Sequence, residues 1–206
     1  MASLLANHTE LEVVRTKSGN TEETDSPAEK AGQSFVKGTP VQLNAGVLQA
    51  WDGATVNAGI YGVAAEDAHN LASDGLGFPI PFNPVGFPGT GTTFGKVPFQ
   101  ASAVNIPEGA PPVKGLVVVF IANLDTVFRA QTDNNTGAAT TPTRANRGTA
   151  YGLTIDANGH WYVDFAKTTV GTNTVVEMVD LDPIDGSVAN ARILFQFTKA
   201  AMQIVL

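Results

Sequence analysis

The stretch "KGTPVQLNAGVLQAWDGATVNAGIYGVAAEDAHN", residues 37–70, decides the fold class of this chain. Within it, the alternating run PVQL leads into the turn sequence NAG, and the run VLQAW returns from it. A second turn signal, Asp52-Gly53, precedes another short apolar run, GIYGVA. Short runs of β-forming residues separated by glycine turns predict a small β-barrel or β-sandwich.

The same pattern continues toward the C-terminus. The run LVVVFIA (116–122) is the most apolar in the chain, and its length and β-branched residues predict a core strand. Further strands are predicted at YGLTID, HWYVDF, TVVEMVDLD and ARILFQF, with ANG as a turn between the first two. The predicted fold class is therefore all-β, with short strands, long Gly/Pro loops and an extended N-terminal arm.

The composition is that of a folded protein with a weakly charged surface. Of the 206 residues, 43% are hydrophobic, which excludes wholesale disorder. Only 15% are charged, against about 25% in an ordinary soluble domain. The 21 glycines and 12 prolines are typical of a protein built on turns. The low charge indicates that much of the surface is turned toward another protein.

Charge and cysteine content exclude several classes of function. The net charge of −7 argues against nucleic acid or an anionic membrane as a partner, because phosphate binding needs clustered Lys and Arg. The absence of cysteine excludes disulfides, zinc–thiolate sites and a thiol nucleophile. No apolar run approaches the ~20 residues needed to span a bilayer. The N-terminus lacks the pattern of a secretory signal, so we expect synthesis and retention in a cytoplasm.

The chain divides into three parts by composition. Residues 1–33 are polar and aperiodic, and they read either as a flexible tail or as an extended arm that orders on a neighbouring subunit. Residues 34–72 form a β-hairpin or barrel part. Residues 73–206 form a β-rich remainder, which could make one domain with 34–72. This remainder contains a Gly/Pro-rich loop at 74–93 and a polar loop at 133–150.

Two short motifs could be interpreted as functional sites. The sequence GTGTTFGK fails as a phosphate-binding loop, because Thr90 stands where the first glycine belongs and Val97 follows the lysine. In EDAHN, Glu66, Asp67 and His69 are close in sequence, but neighbouring residues of a short segment point in different directions. A turn or capping role is therefore expected for Asp67 and Asn70.

The sequence DLDPIDG (180–186) resembles a calcium loop in composition. Its acidic positions have the wrong spacing, and no glutamate stands six residues beyond the glycine. A Pro-Ile-Asp-Gly turn explains the same residues. A weakly bound surface cation stays open as the alternative to this turn. No nucleophile motif is present, and the sequence predicts no catalytic residue, no cofactor and no metal ligand.

Over about residues 33–206, the sequence resembles the head decoration (cement) proteins of tailed bacteriophages. The stretches that carry the resemblance occur in order, from FVKGTPVQL to VVEMVDLDPIDGSVANARILFQF. The resemblance implies a non-enzymatic structural protein on the outer surface of the virion capsid, made in the host cytoplasm. Its implied partners are the major capsid protein and further copies of itself, as a homotrimer. It would stabilise the expanded shell against the pressure of packaged DNA.

Apolar residues of the arm and of the first loop are the predicted partner contacts. A phenylalanine in a loop favours protein contact when it is exposed, but it can equally fold back onto its own core. Two other functions stay open. One is another phage structural role, such as a tail, head-fibre or host-receptor and glycan-binding protein, and the other is a β-sandwich enzyme acting on glycans. The predicted contact residues are Leu4, Leu5, Leu11, Val13, Val14, Phe78, Phe82 and Phe87.

Overall fold

The computed structural model describes residues 10–53, 59–70, 115–134, 139–156, 159–169 and 173–203. Across these ranges the regular structure is β, apart from one short 3-10 helix at Arg144–Asn146. The all-β prediction is confirmed. None of the helical structure in these ranges is long and apolar enough to cross a membrane. The strands are Glu12–Thr16 (β1), Thr24–Asp25 (β2), Pro40–Asn44 (β3), Val47–Ala50 (β4), Gly62–Ala64 (β5), Val119–Ile121 (β6), Thr126–Asp133 (β7), Ala150–Ile155 (β8), Trp161–Asp164 (β9), Val176–Leu181 (β10) and Arg192–Phe197 (β11).

The NAG sequence forms the predicted tight turn between β3 and β4. Asn44 pairs with Val47, which leaves Ala45 and Gly46 as the two turn residues. Both have positive φ, 52° and 83°, as a two-residue turn compatible with the twist of a β-hairpin requires. The register of this hairpin is thereby fixed by the turn.

The first sheet is a closed five-stranded barrel with one strand added outside it. Its strand order is β1-β7-β11-β10-β8-β9, and a parallel pairing of β7 with β9 closes the ring. Every residue of β11 is buried, because this strand lies between β7 and β10. The rings of Phe128, Phe195 and Phe197 lie within 5.8 Å of one another, centroid to centroid, and fill the core.

The second sheet has the order β2-β6-β5-β3-β4, and a short run of chain joins its two sides. We call residues 27–30 the closing segment. In this segment Ala28 bridges to Leu116 beside β6, and Glu29 bridges to Leu48 on β4. The Lys30 N–H donates to the Leu48 carbonyl at 2.8 Å, and the Leu48 N–H donates to the Ala28 carbonyl at 2.7 Å. The second sheet therefore has no open side at Leu48.

The two sheets share one hydrophobic core. Trp51, Ile60 and Val63 from the second sheet lie in the same buried cluster as the phenylalanines of the first. Gln203, which follows β11, also contacts the second sheet. Its side chain accepts a hydrogen bond from the Leu43 N–H and donates one to the Leu43 carbonyl, each at 2.7 Å. Strand β5, from the 34–72 part, pairs with β6, from the remainder. The two parts therefore fold together in the structure.

Residues 10–33 pair with the chain's own sheets, where the sequence suggested a flexible tail or an arm on a neighbouring subunit. Strand β1 adds to β7, and β2 adds to β6. The physical reason is apolar burial combined with main-chain pairing, because Leu11 enters the shared core as β1 begins. The loop at 74–93 lies outside the described residues, and the loop predicted at 133–150 contains the 3-10 helix.

Candidate partner interface

Strand β1 presents the open edge of the first sheet. One side of β1 pairs with β7, from Glu12 opposite Arg129 to Thr16 opposite Thr126. No strand of the described part of the chain lies along its other side. The pairing shifts register between Val13 and Arg15, so the intervening residue lies at a bulge. An edge of this kind carries main-chain groups that another extended chain can pair with.

An ionic network holds the start of β1 against the barrel. The Arg129 Nε donates to Glu12 Oε2 at 2.5 Å, and a second guanidinium nitrogen also contacts this carboxylate. On the far side, Nη1 of Arg129 lies 3.6 Å from Oδ2 of the buried Asp182. The same oxygen lies 3.6 Å from Nε of Arg192 on β11. The network thus ties β1 to β7, β11 and the end of β10.

A carboxylate fixes the end of β1 in the same way. The main-chain N–H of Ser18 donates to Asp125 Oδ1 at 2.8 Å, and the Ser18 hydroxyl donates to Oδ2 at 2.5 Å. The hydroxyl bond is the main cause that lowers the pKa of Asp125 below its ordinary value. Lys17 adds a main-chain bond to the Asp125 carbonyl at 2.8 Å. Strand β1 is therefore anchored at both ends.

The next part of the N-terminal chain is anchored through a phenol. The Tyr61 hydroxyl donates a hydrogen bond to the Asp25 carboxylate on β2. Burial, followed by this bond and the charge of Asp25, raises the pKa of Tyr61. The phenol therefore stays protonated and remains a donor across the range of pH in which proteins are handled. This bond ties β2 to the second sheet beyond its two-residue pairing with β6.

The predicted contact residues fall into three groups. Leu11 is buried in the core, and Val13 is half-buried against the same cluster, so both stabilise the fold. Val14, at the bulge, is 39% exposed and is available to a partner. The others, Leu4, Leu5, Phe78, Phe82 and Phe87, lie outside the described residues.

A groove of about 790 Å³ lies between the two sheets. Its rim carries the exposed side chains of Val36 and Ile155. Trp51 and Trp161 also line it, with ring centroids 5.4 Å apart and planes tilted by 34°. Both rings are core residues, at 3% and 6% exposure. They therefore present no open face on which a sugar ring could stack.

The acidic groups of the EDAHN sequence bond to the main chain. Asp67 Oδ1 accepts from the Lys37 N–H at 2.7 Å, a bond that spans 30 positions of the chain and is not the local turn bond that was predicted. Glu66 Oε1 accepts from the Val118 N–H, also at 2.7 Å. Asn70 adopts a positive φ of 53°, which is typical of a turn. Within the described ranges, no three His, Cys, Asp or Glu side chains are placed to hold a metal ion.

The DLDPIDG sequence forms the predicted turn, and its carboxylates bond to protein groups. Asp182 Oδ1 accepts from the Ile184 N–H at 2.8 Å, and the Gly186 N–H donates to the Asp182 carbonyl at 2.9 Å. Asp185 bonds to the Arg192 guanidinium. These contacts explain the acidic composition of the loop without a cation.

Sequence reasoning missed the residues that lock the N-terminal chain onto the fold. Glu29, Asp25 and Asp125 make bonds to residues 36 to 107 positions away. No local pattern of residues signals contacts over such separations.

Comparisons with protein-family models, with curated proteins and with solved structures find no match to this chain.

Proposed function

We propose that this chain is a structural virion protein that decorates an expanded phage capsid and stabilises it by binding the major capsid protein on the outer surface. The proposal combines the resemblance carried by the sequence with one structural observation. That observation is the open edge of β1, anchored at Glu12 and at Ser18, with Val14 exposed between them.

Strand addition at this edge fits the chemistry of a stapling protein. An extended segment of a capsid subunit that pairs with β1 gains main-chain hydrogen bonds without special side chains. Because β1 is already fixed to the barrel, this strand loses little conformational entropy of its own when the partner binds. A closed barrel behind the edge transmits load between the subunits it joins. Many equivalent positions on a shell then add avidity to a modest single contact.

The proposal assigns the chain no catalytic residue, cofactor or metal. Its partners are the major capsid protein and further copies of itself, in a homotrimer, since closed symmetry would bury part of the weakly charged surface. With a net charge of −7 the chain is not expected to bind the packaged DNA. It would act on the outer face of the virion after synthesis in the host cytoplasm.

Co-sedimentation of the purified protein with undecorated heads tests the proposal. Saturable binding to expanded heads and none to unexpanded procapsids is the expected result, and the saturation level gives the number of copies per capsid. Binding to neither form would contradict the proposal. In that case the tail, fibre, receptor-binding and glycan-acting functions become the ones to test.

A further inference from the structure

The charged residues on either side of the two valines of β1 form a self-complementary pattern. Residues 10–17 read ELEVVRTK, so Glu10 and Glu12 precede the valines, and Arg15 and Lys17 follow them. When two copies of this segment lie antiparallel with Glu12 opposite Arg15 of the other copy, Glu10 lies opposite Lys17. The acidic half of each copy then faces the basic half of the other.

The bulge in β1 places the acidic and basic residues on one face of the strand. Glu12 lies opposite Arg129 and Arg15 lies opposite Val127. Arg129 and Val127 are two positions apart on β7, so they share a face of the sheet. The residue added at the bulge therefore brings Glu12 and Arg15 onto the same face, although three positions separate them. Antiparallel pairing with a second copy requires this, because residues directly opposite each other share a face.

The charges are at the surface, whereas residues between them face the barrel. Leu11 and Thr16 are buried. Glu10, Arg15 and Lys17 are exposed. A strand that approaches the open edge of β1 therefore meets these charged side chains.

The contacts that the acidic residues make within the chain are compatible with a second partner. Both contacts from Arg129 go to Oε2 of Glu12, and 31% of the Glu12 side chain is exposed. Glu10 lies 3.8 Å from Nζ of Lys37 in an exposed pair. An exposed pair of this kind contributes little to stability, so its exchange for another costs little.

We propose that the protein, when it is not bound to a capsid, pairs with a second copy of itself through β1, antiparallel and with Glu12 opposite Arg15 of the other copy. The first sheets of the two copies then form one continuous sheet. Pairs of opposite charge cross the interface twice for each copy, and such pairs stabilise adjacent strands. Displacing the partner by two positions would leave one such pair for each copy, so the charges select the register. The pairing also covers an edge that could otherwise bind unrelated strands.

Sedimentation velocity of the full chain over a series of concentrations tests the pairing. Arg15→Glu places like charges opposite each other on both sides of the two-fold axis, so it should weaken self-association at least about tenfold. Arg15→Lys keeps the charge and should associate like the wild type. Arg144→Glu is the matched control, because Arg144 is an exposed arginine on the 3-10 helix and the change in net charge is the same. It should also associate like the wild type.

Introduced cysteines test the register, since the chain contains none of its own. Glu10→Cys and Lys17→Cys, mixed in equal amounts and oxidised, should form a disulfide between copies, because residues directly opposite each other are close enough for one. Neither variant alone should cross-link to the same extent, since its two cysteines would lie roughly 20 Å apart along the paired strands. This experiment leaves Arg15 unchanged, so it does not depend on the folding of Arg15→Glu.

Two results overturn the proposal. One is a wild type that sediments like folded Arg15→Glu at every concentration, which would leave the edge of β1 to a partner other than a second copy. The other is cross-linking in the mixture that is no greater than in each variant alone, which would exclude this register. The pairing does not rest on the proposed function, and neither experiment contains capsids, so the two proposals fail or survive separately. A capsid segment that binds β1 would replace the second copy at the same edge.

Discussion

Arg192 and Asp185 form a buried bidentate ion pair at the point where β11 begins. Nε of Arg192 lies 2.7 Å from Oδ2, and Nη2 lies 3.0 Å from Oδ1. The Arg192 main-chain N–H donates to the same carboxylate at 3.0 Å. The side-chain bond to Asp185 raises the pKa of Arg192, so the guanidinium keeps its positive charge. This pair fixes the loop between β10 and β11 and positions Arg192 beside Asp182.

The first prediction concerns this ion pair. Arg192→Gln removes the guanidinium that binds the buried Asp185 carboxylate through two nitrogens, and it should lower the free energy of unfolding by about 3–5 kcal/mol. Arg147→Gln is the control, since its pair with Asp180 is largely exposed and spans 3.6 Å, and it should cost less than about 1 kcal/mol. Chemical denaturation of both variants measures the difference. Equal losses would show that burial of the pair does not matter.

The second prediction concerns the close approach of β5 and β6. A Cβ at Gly62 would clash with the Phe120 carbonyl oxygen and lie 2.5 Å from Val119 Cγ1. Gly62→Ala should therefore destabilise the fold by about 1–3 kcal/mol, because a backbone atom in a paired strand cannot move aside. Gly46→Asn should cost less, since no atom lies within 4 Å and asparagine tolerates positive φ. Thermal unfolding that ranks the two variants in the opposite order would refute this packing argument.

The third prediction is that both sheets fold without residues 71–114. The Ala65 N–H donates to the Val118 carbonyl at 2.8 Å, so the chain leaves β5 and returns to β6 at neighbouring positions. Replacing residues 71–114 with a Gly/Ser linker of about eight residues should preserve both sheets, because loop length has a small effect on stability. An amide NMR fingerprint that retains the signals of β3, β7 and β11 would agree.

The same variant tests the predicted contacts at Phe78, Phe82 and Phe87. If these residues touch the capsid, the shortened protein folds and binds expanded heads more weakly. An unfolded product would instead mean that they belong to the core.

The fourth prediction concerns the pH response of the turn after β1. The pKa of Asp125 is lower in the folded protein than in the unfolded chain. Its bonds to Ser18 therefore stabilise the fold fully at pH values above the ordinary pKa of an aspartate. This contribution is lost as the pH falls through the lowered pKa. Ser18→Ala removes the main cause, and the pKa of Asp125 should rise toward its ordinary value. An NMR titration of the carboxyl carbon measures it. An unchanged titration in Ser18→Ala would exclude this bond as the cause.

The fold class could be predicted because it depends on local patterns. Alternation and turn residues identified the β3–β4 hairpin with its tight turn and, among the later strands, β6 and β8 to β11, but not β7. Closure of the first sheet was not predicted in detail, since it depends on the parallel pairing of Thr132 with Val163 across 31 positions. Neither strand contains a local sequence pattern that identifies the strand with which it pairs.

The interface was harder to predict because exposure is a tertiary property. The sequence grouped Leu11, Val13 and Val14 as one apolar cluster, yet burial assigns Leu11 to the core and Val14 to the surface. Which face of β1 is buried depends on its pairing with β7, more than 100 positions away. Likewise, the polar stretch around Glu29 suggested a flexible tail or an arm on a neighbouring subunit, whereas main-chain bonds make it part of the second sheet.

The binding of two matched variants to expanded heads tests the central claim most directly. Val14→Asp places a charge at the open edge of β1, and Val36→Asp places the same charge on a valine that is 51% exposed at the groove. Both should fold, because each side chain is already on the surface. We predict that Val14→Asp weakens co-sedimentation at least about tenfold while Val36→Asp binds like the wild type. Undiminished binding by folded Val14→Asp would contradict attachment through β1.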